Sequence, residues 1–281
     1  MRGGELADLW RRLRRNRAAV VGAGIVVVFV ALAILAPVLV PYSPIQGVLQ
    51  DRLLPPTTAH WFGTDELGRD LFSRILFGAR ISLQIQIVAV VLALFAGVVL
   101  GSVGGYLGGR VDNLIMRCMD VLLAFPSIFL ALAIIAALGT GLFNLMLAAG
   151  ISSIPAFARI VRASILSLKE REFVEAALAL GSGTNRIMFR HLLPNCLAPL
   201  IVQSTLRMAT VLLTASGLSF LGLGVQPPTP EWGAMLSNAR GYLIVAPHVA
   251  TIPGLAIMVV VVGFNLFGDG LRDTLDPRLR Q

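Results

Sequence analysis

One stretch of this sequence, residues 60–70, combines histidine with several carboxylates. His60, Asp65, Glu66 and Asp70 are of the types that ligate metals or carry out acid–base catalysis. Their spacing matches no metal-binding motif, so it favours helix capping, turn formation and local ion pairing over a metal site. We predict no metal ion in this chain, and His60, Asp65 and Asp70 are the only candidates for a catalytic cluster.

Nucleotide-binding chemistry is missing from the sequence. A P-loop needs the pattern Gly-x-x-x-x-Gly-Lys-Ser/Thr, in which backbone amides and the lysine hold phosphate. The only lysine, Lys169, lies between Leu168 and Glu170, which excludes this motif. The apolar stretches also carry no Asp or Glu in their interiors, which disfavours ion-coupled transport. If the chain moves a solute, we expect another subunit to supply the energy.

The composition indicates that most of the exterior faces lipid. Of 281 residues, 56% are hydrophobic and 14% are charged, with a mean hydropathy of +0.82. A soluble domain is about one quarter charged. A bilayer core of about 30 Å needs about 20 apolar residues in a helix, because lipid offers no partner for free backbone groups. Six stretches qualify: 18–40, 81–104, 121–138, 144–158, 200–218 and 250–268. The first is too long for a signal peptide, so we interpret it as a retained anchor.

The basic residues predict the orientation of these spans. The chain has 22 arginines and one lysine, and its formal net charge is +8. Seventeen of these cations fall in the segments 1–17, 105–120, 159–198 and 269–281, and five fall in the intervening loops. The positive-inside rule therefore places both termini in the cytoplasm, and the charge indicates membrane orientation and no nucleic-acid partner. The predicted fold is an all-α integral membrane protein with six transmembrane helices. Cys118 and Cys196 are too few for a disulfide framework, so we expect free thiols.

The external segment 41–80 is expected to hold an amphipathic helix lying in the membrane interface. From Leu67 onward, apolar residues recur at helical spacing before the second span. The polar residues between them are expected to face away from the apolar side; they are Arg69, Asp70, Ser73 and Arg74.

The cytoplasmic segment 159–198 predicts two short helices with a break between them. Residues 170–180 have helix-forming composition, Gly181-Ser182-Gly183 ends that helix, and residues 185–193 form a second helix that ends before Pro194. The first helix presents small residues, Ala176 and Ala177, and such a unit can dock into a groove on another protein. A surface hairpin without a partner explains the same pattern equally well.

Arg207 is the one charged residue well inside a span. A charge at the centre of a helix costs about 2.5–3.5 kcal/mol on insertion scales. Arg207 either lines a polar pathway and meets a substrate carboxylate, or it snorkels to the cytoplasmic side from a span that begins near Val202. Gln203, Thr210 and Asn265 are polar residues within spans, and they are weaker pathway candidates than Arg207.

Several motifs resemble a known family. Glu175-Ala176-Ala177, Gly181 and the run HLLPN at 191–195 resemble the EAA signature of membrane subunits of type I ABC importers. His191 replaces an isoleucine common in the wider superfamily and is typical of the dipeptide/oligopeptide/nickel branch. Four further stretches resemble the branch subunit with the shorter external loop: LWRR at 9–12, HWFGTDELGRDLFSR at 60–74, LSFLGLGVQPPTPEW at 218–232 and FNLFGDGLRDTLDPR at 264–278. Ala215 departs from that branch, which often has glutamate there.

The resemblance implies a heteromeric importer in the bacterial cytoplasmic (inner) membrane. A second, homologous permease, two subunits that bind ATP and Mg²⁺, and an extracytoplasmic substrate-binding protein would be the partners, with no cofactor in this chain. Residues 1–80 would hold the first span and the external segment, and 81–281 a five-helix permease core. The coupling residues would be Arg171, Glu175, Ala176, Ala177, Leu180, Gly181, His191 and Pro194.

The same resemblance implies import of dipeptides or oligopeptides by alternating access. Nickel or another small solute is an alternative cargo for the same machinery. An integral-membrane enzyme acting on lipid-linked substrates is the alternative from a different class, and it would need the 60–70 cluster as its catalytic site.

Overall fold

Long apolar helices account for most of the computed structural model, which describes Arg11 and residues 13–275. These residues contain no β-strand, only an isolated bridge between Thr64 and Asp70. The main helices are α1 (Arg17–Leu39), α2 (Leu71–Leu107), α3 (Gly109–Leu123), α4 (Ser127–Leu138), α5 (Leu142–Leu168), α6 (Glu172–Ala179), α7 (Leu197–Phe220), α8 (Trp232–Ala239) and α9 (His248–Leu275). Leu9, Trp10, Arg12 and the motif residues from Asp276 onward lie outside the described part.

Five of these helices are long and apolar enough to cross a membrane: α1, α2, α5, α7 and α9. The pair α3 and α4 passes the same test together, which brings the number of spans in the described residues up to six. The chain is therefore an all-α, multi-pass membrane protein.

The stretch predicted as the third span, 121–138, is not one continuous helix, because it is broken between α3 and α4. The axes of α3 and α4 differ by 92°. The break lies at Ala124–Pro126, where α3 ends and Pro126 precedes α4. Proline has no N–H to continue the helical hydrogen bonds, and it disfavours helical conformation in the residue before it.

Helix α2 is one continuous helix of 37 residues, so the expected interfacial helix is the first part of the second span. Asp70 caps it, because the Asp70 carboxylate accepts a hydrogen bond from the Ser73 N–H at 2.8 Å. Arg69, Asp70, Ser73 and Arg74, which we expected to face away from the apolar side of an interfacial helix, are all buried in the structure. The preceding loop folds over them: the Arg74 guanidinium donates to the Pro44 carbonyl at 2.7 Å.

Glycines let the spans approach one another closely. A β-carbon on Gly101 of α2 would lie 2.5 Å from the Ala158 carbonyl oxygen of α5. A β-carbon on Gly22 of α1 would lie 2.5 Å from the Phe267 amide nitrogen of α9. Small residues favour close packing of helices in membranes, where association gains little from the hydrophobic effect. Helices α2 and α5 thus form a tight pair, and α1 lies against α9.

Candidate coupling segment and pathway residues

Helix α6 is anchored to the protein through one side only. Val174 is 2% exposed and Ala177 is also buried, and both face the protein interior. Glu175 and Ala176 are exposed. The structure thus separates the two alanines that we expected to form one small face: Ala177 anchors the helix and Ala176 lies on the open side.

The end of α6 explains why Gly181 is needed. Its φ of +75° lies in the left-handed region, and the Gly181 N–H donates to the Leu178 carbonyl at 2.9 Å. The Ser182 N–H donates to the Ala177 carbonyl at 3.0 Å, which completes a Schellman cap. No atom lies within 4 Å of a β-carbon built at position 181, so a side chain there would not be crowded. Glycine is favoured at this position because of the backbone conformation alone. The prediction that the glycines end this helix is confirmed.

The second helical piece continues past the point where we predicted its end. It comprises Thr184–Arg186, a π-helical stretch at Ile187–Leu192, and Leu193–Asn195. Pro194 lies at the start of the last turn, where its missing N–H has no helical partner to lose. The helix reaches Pro194 through a wider π turn, in which the Leu193 N–H donates to the carbonyl of Met188, five residues earlier.

The polar positions of this piece are tied to its own backbone and to α6. His191 is half-buried, with its ring centre 6.4 Å from that of Phe173. The Asn195 side-chain amide donates to the His191 carbonyl at 2.7 Å. Pro194 is exposed.

An apolar surface, which we call the coupling surface, is exposed around α6. It consists of Phe173, Leu178, Leu180 and Phe189. Leu180 is 87% exposed, and Phe189 is 70% exposed and also lines a cavity with Val99 and Val103 of α2. Sequence reasoning found only Leu180 among them. Exposed apolar side chains on a segment outside the candidate spans, together with the exposed Arg171 and Glu175 of that segment, suit a protein partner.

Three pathway candidates share one face of α7. Gln203, Arg207 and Thr210 follow at helical spacing, and Thr214 extends the row by another turn. We call these four residues the α7 polar face. The side chains are half-buried or exposed, and Arg207 forms no ion pair with any residue that the structure describes. Arg207 lies ten residues after Leu197, which is about 15 Å along the helix.

Asn265, the fourth pathway candidate, is exposed on α9. Within the described ranges it has no hydrogen bond to the α7 polar face. Thr214 was not expected from the sequence, although its position eleven residues after Gln203 follows the same helical period.

The residues of 60–70 hold the 41–70 loop together. The Asp65 carboxylate accepts a hydrogen bond from Arg69 Nε at 2.6 Å and lies 3.2 Å from Arg74 Nε. The His60 ring nitrogen Nδ1 lies 2.9 Å from the Asp70 carboxylate. The interpretation as capping and ion pairing is confirmed. In the described part of the chain, no group of three His, Cys, Asp or Glu residues is arranged to hold a metal ion.

Comparison with known proteins indicates that the chain is a subunit of a transport system. Residues 70–281 match the model of the family described as binding-protein-dependent transport system inner membrane component. The chain belongs to this family. Residues 5–56 also match the N-terminal TM domain of oligopeptide transport permease C. The resemblance to membrane subunits of ABC importers is confirmed, and the chain is the non-catalytic permease component of such a system.

Two curated relatives resemble the permease along almost its whole length. The dipeptide transport system permease protein DppC of Alkalihalophilus pseudofirmus is 49% identical over 273 residues, 97% of this chain and 90% of the relative. The glutathione transport system permease protein GsiD of Pectobacterium atrosepticum is 48% identical over 274 residues, 97% of this chain and 91% of the relative.

Two further features of the permease were missed from the sequence. Glu231, at the end of the motif LSFLGLGVQPPTPEW, is fully buried and accepts hydrogen bonds from the Gly233 and Ala234 N–H groups, both at 2.9 Å. Burial raises the pKa of this carboxyl group. Its place directly before a helix was the available signal for a cap.

The other feature is a pair of salt bridges that join α3 to α5. The Arg162 guanidinium binds the Asp112 carboxylate through two nitrogens, each at 2.5 Å from an oxygen. Arg159 Nη2 lies 2.6 Å from the Asp120 carboxylate. Bidentate arginine–carboxylate pairs fix orientation as well as distance, so the bent third span is held against the helix that leads into α6.

Proposed function

We propose that this permease, together with a second homologous permease, forms the pathway through which an ATP-driven importer takes up short peptides. Its similarity to the dipeptide permease along 97% of its length carries the proposal. The glutathione permease, also similar along 97%, is named for another small peptide-like solute.

Four partner chains are part of the proposal. The permease pair sits on two subunits that bind ATP with Mg²⁺, because this chain has no P-loop. An extracytoplasmic binding protein delivers the solute, as the family description implies. The excess of arginine at 1–17, 105–120, 159–198 and 269–281 supports cytoplasmic termini in the bacterial cytoplasmic membrane.

The coupling surface is the proposed contact with the ATP-binding subunits. Its side chains are apolar and exposed, while Val174 and Ala177 of the same helix are buried and tie α6 to the protein core. A partner that grips α6 therefore moves the segment that follows, and Leu193–Asn195 leads directly into α7. ATP-driven closure of the partners thus rocks the spans as rigid bodies between inward-open and outward-open states.

The pathway is proposed to run along the α7 polar face and past Asn265. Four polar side chains on one face of a membrane-spanning helix raise the free energy of the protein if they face lipid, but not if they face a water-filled pathway. The Arg207 guanidinium suits the terminal carboxylate of a peptide.

Reconstitution tests the proposal. The permease is placed in liposomes with the second permease, the two ATP-binding subunits and the binding protein, and uptake of labelled dipeptide, glutathione and nickel is compared. ATP-dependent uptake of a peptide supports the proposal. Uptake of nickel alone would overturn the peptide assignment, and peptide uptake without the ATP-binding subunits would overturn the energy source.

A further inference from the structure

An apolar cavity of about 640 Å³ lies between α1, α2 and α9. Its wall on α1 includes Gly24 and Phe29, and Ala79 and Val259 line it from the other two helices. Trp232 of α8 also lines it, with its indole N–H donating to the Ile75 carbonyl at 3.1 Å. Apolar side chains and Gly24 account for the whole lining.

A second cavity, also of about 640 Å³, continues from the first toward the 41–70 loop. The two cavities share the residues Leu32, Phe62, Ile75 and Leu76, so they adjoin, and we treat them together as one groove. From Gly24 to Leu39 the groove follows α1 for about 22 Å, at 1.5 Å per residue. That is the length scale of one extended lipid tail.

The two ends of the groove differ in chemistry. Tyr42 and Trp61 line its outer end, together with Thr58 and the buried acidic residue Asp70. Trp61 is 65% exposed, and its ring centre lies 5.0 Å from that of Phe72. Tyrosine and tryptophan concentrate at the level of lipid headgroups, where a ring meets hydrocarbon on one side and water on the other. The groove thus begins at the membrane surface and continues into the hydrocarbon.

We propose that this groove binds one phospholipid, with its acyl chain between α1, α2 and α9 and its headgroup beside Tyr42 and Trp61. The lipid belongs to the leaflet on the side of the 41–70 loop. Val28 and Leu255 are exposed at the rim, so the groove opens laterally into the membrane. An acyl chain enters by that route and supplies the contacts that an empty groove lacks. This binding does not depend on which solute the permease moves.

Filling the groove from the protein side tests the proposal. No atom lies within 4 Å of a β-carbon at position 24, so Gly24→Phe places its ring in the groove without displacing the backbone. Val27→Phe is the matched control, because Val27 is 65% exposed on the same helix and does not line the groove. Native mass spectrometry of the full chain in mild detergent is expected to show one retained phospholipid for the wild type and for Val27→Phe. The Gly24→Phe variant is expected to lose it, and equal retention by both variants would overturn the proposal.

Photolabelling of the unaltered chain gives an independent measurement. The permease with its partners is placed in liposomes of phosphatidylethanolamine that carries a diazirine in the acyl chain. Label concentrated on Phe29 and Leu76 supports the proposal. Label spread equally over Val27 and the groove would overturn it, and so would zero-length crosslinks showing that the second permease fills the groove.

Discussion

At the scale of single residues, Gly181 and Gly183 are two neighbouring glycines with different backbone requirements. Gly181 has a φ of +75°, whereas Gly183 has a φ of −69° and a ψ of 160°, an extended conformation open to any residue. A β-carbon in the left-handed conformation costs about 1–2 kcal/mol. We therefore expect Gly181→Val to distort the end of α6 and to reduce ATP-driven uptake strongly in the reconstituted importer.

Gly183→Val is the matched control for this prediction. No atom lies within 4 Å of a β-carbon at either position, so the two variants differ in backbone strain and not in crowding. Both are expected to assemble in the membrane, and Gly183→Val is expected to retain uptake. Equal uptake by the two variants would remove Gly181 from the coupling role.

Glu231 gives a prediction for pH. Burial raises its pKa above the ordinary value of 4.5, so the folded state favours the protonated carboxyl group. The resulting stabilisation is full below pH 4.5 and is lost as the pH rises through the folded-state pKa. We expect the melting temperature of the purified permease to fall over that interval, and Glu231→Gln to reduce the fall because its side chain does not ionise.

An exposed carboxylate provides the comparison for Glu231→Gln. Glu172 lies on the surface at the start of α6, so Glu172→Gln is expected to leave the pH profile of the melting temperature unchanged. A wild-type profile in the Glu231→Gln variant would show that another group causes the pH dependence.

At the scale of helices, the close pair α2–α5 predicts a destabilising substitution. A β-carbon at Gly101 would lie 2.5 Å from the Ala158 carbonyl oxygen and 2.8 Å from the Val161 β-carbon, and backbone on one side cannot yield. Overpacking of this kind costs about 1–3 kcal/mol. We expect Gly101→Ala to lower the melting temperature in detergent by several degrees.

Gly217 of α7 is the control for this helix pair. A β-carbon there meets only the end of the Ile128 side chain, at 3.5 Å, which is an ordinary contact. Gly217→Ala is therefore expected to keep the wild-type melting temperature or to raise it slightly, because alanine favours a helix over glycine. If Gly101→Ala has the same melting temperature as Gly217→Ala, the α2–α5 contact is looser than the structure shows.

The sequence predicted the five long helices well because apolar runs of spanning length are a strong signal. Helices α2, α5, α7 and α9 each contain one predicted stretch, and α1 covers all of 18–40 except Val40. The burial of the polar residues at the start of α2 was not predicted. Helical periodicity shows which residues share a face of a helix, but it does not show which other segment packs against that face. Arg74 is buried because a carbonyl group thirty residues earlier, that of Pro44, accepts its hydrogen bond.

The candidate coupling site shows the same limit. Gly181 was predictable because a glycine pair after a helix is a local signal. The inward direction of Ala177 and the π turn at Ile187–Leu192 depend on packing between α6 and the segment after it, which no local pattern contains. Phe173 and Phe189 look like core residues in the sequence, and only the structure shows that they are exposed.

At the scale of the whole molecule, the residues that the structure describes leave two kinds of surface without a partner. The coupling surface is apolar where the predicted orientation places water, and the α7 polar face is polar where it places lipid. Each reverses the chemistry expected of an isolated membrane protein. Both surfaces are explained if the permease works only with other subunits, as proposed.

The orientation of the whole chain can be tested with its two natural cysteines. Cys118 is exposed on α3, while Cys196, between the second helical piece and α7, is buried. Burial raises the pKa of the Cys196 thiol, which lowers its thiolate fraction and its reactivity. A membrane-impermeant maleimide should therefore label Cys118 alone, and only in inside-out vesicles, if the termini are cytoplasmic.

Cys118→Ser supplies the control, because it should abolish labelling in both kinds of vesicle. Labelling of the wild type in right-side-out vesicles would place α3 on the external side. The salt bridges Asp112–Arg162 and Asp120–Arg159 hold α3 beside the end of α5, which leads into α6. External labelling would thus place the coupling surface outside the cell, where no ATP-binding subunit can contact it. That result would overturn both the predicted orientation and the proposed mechanism.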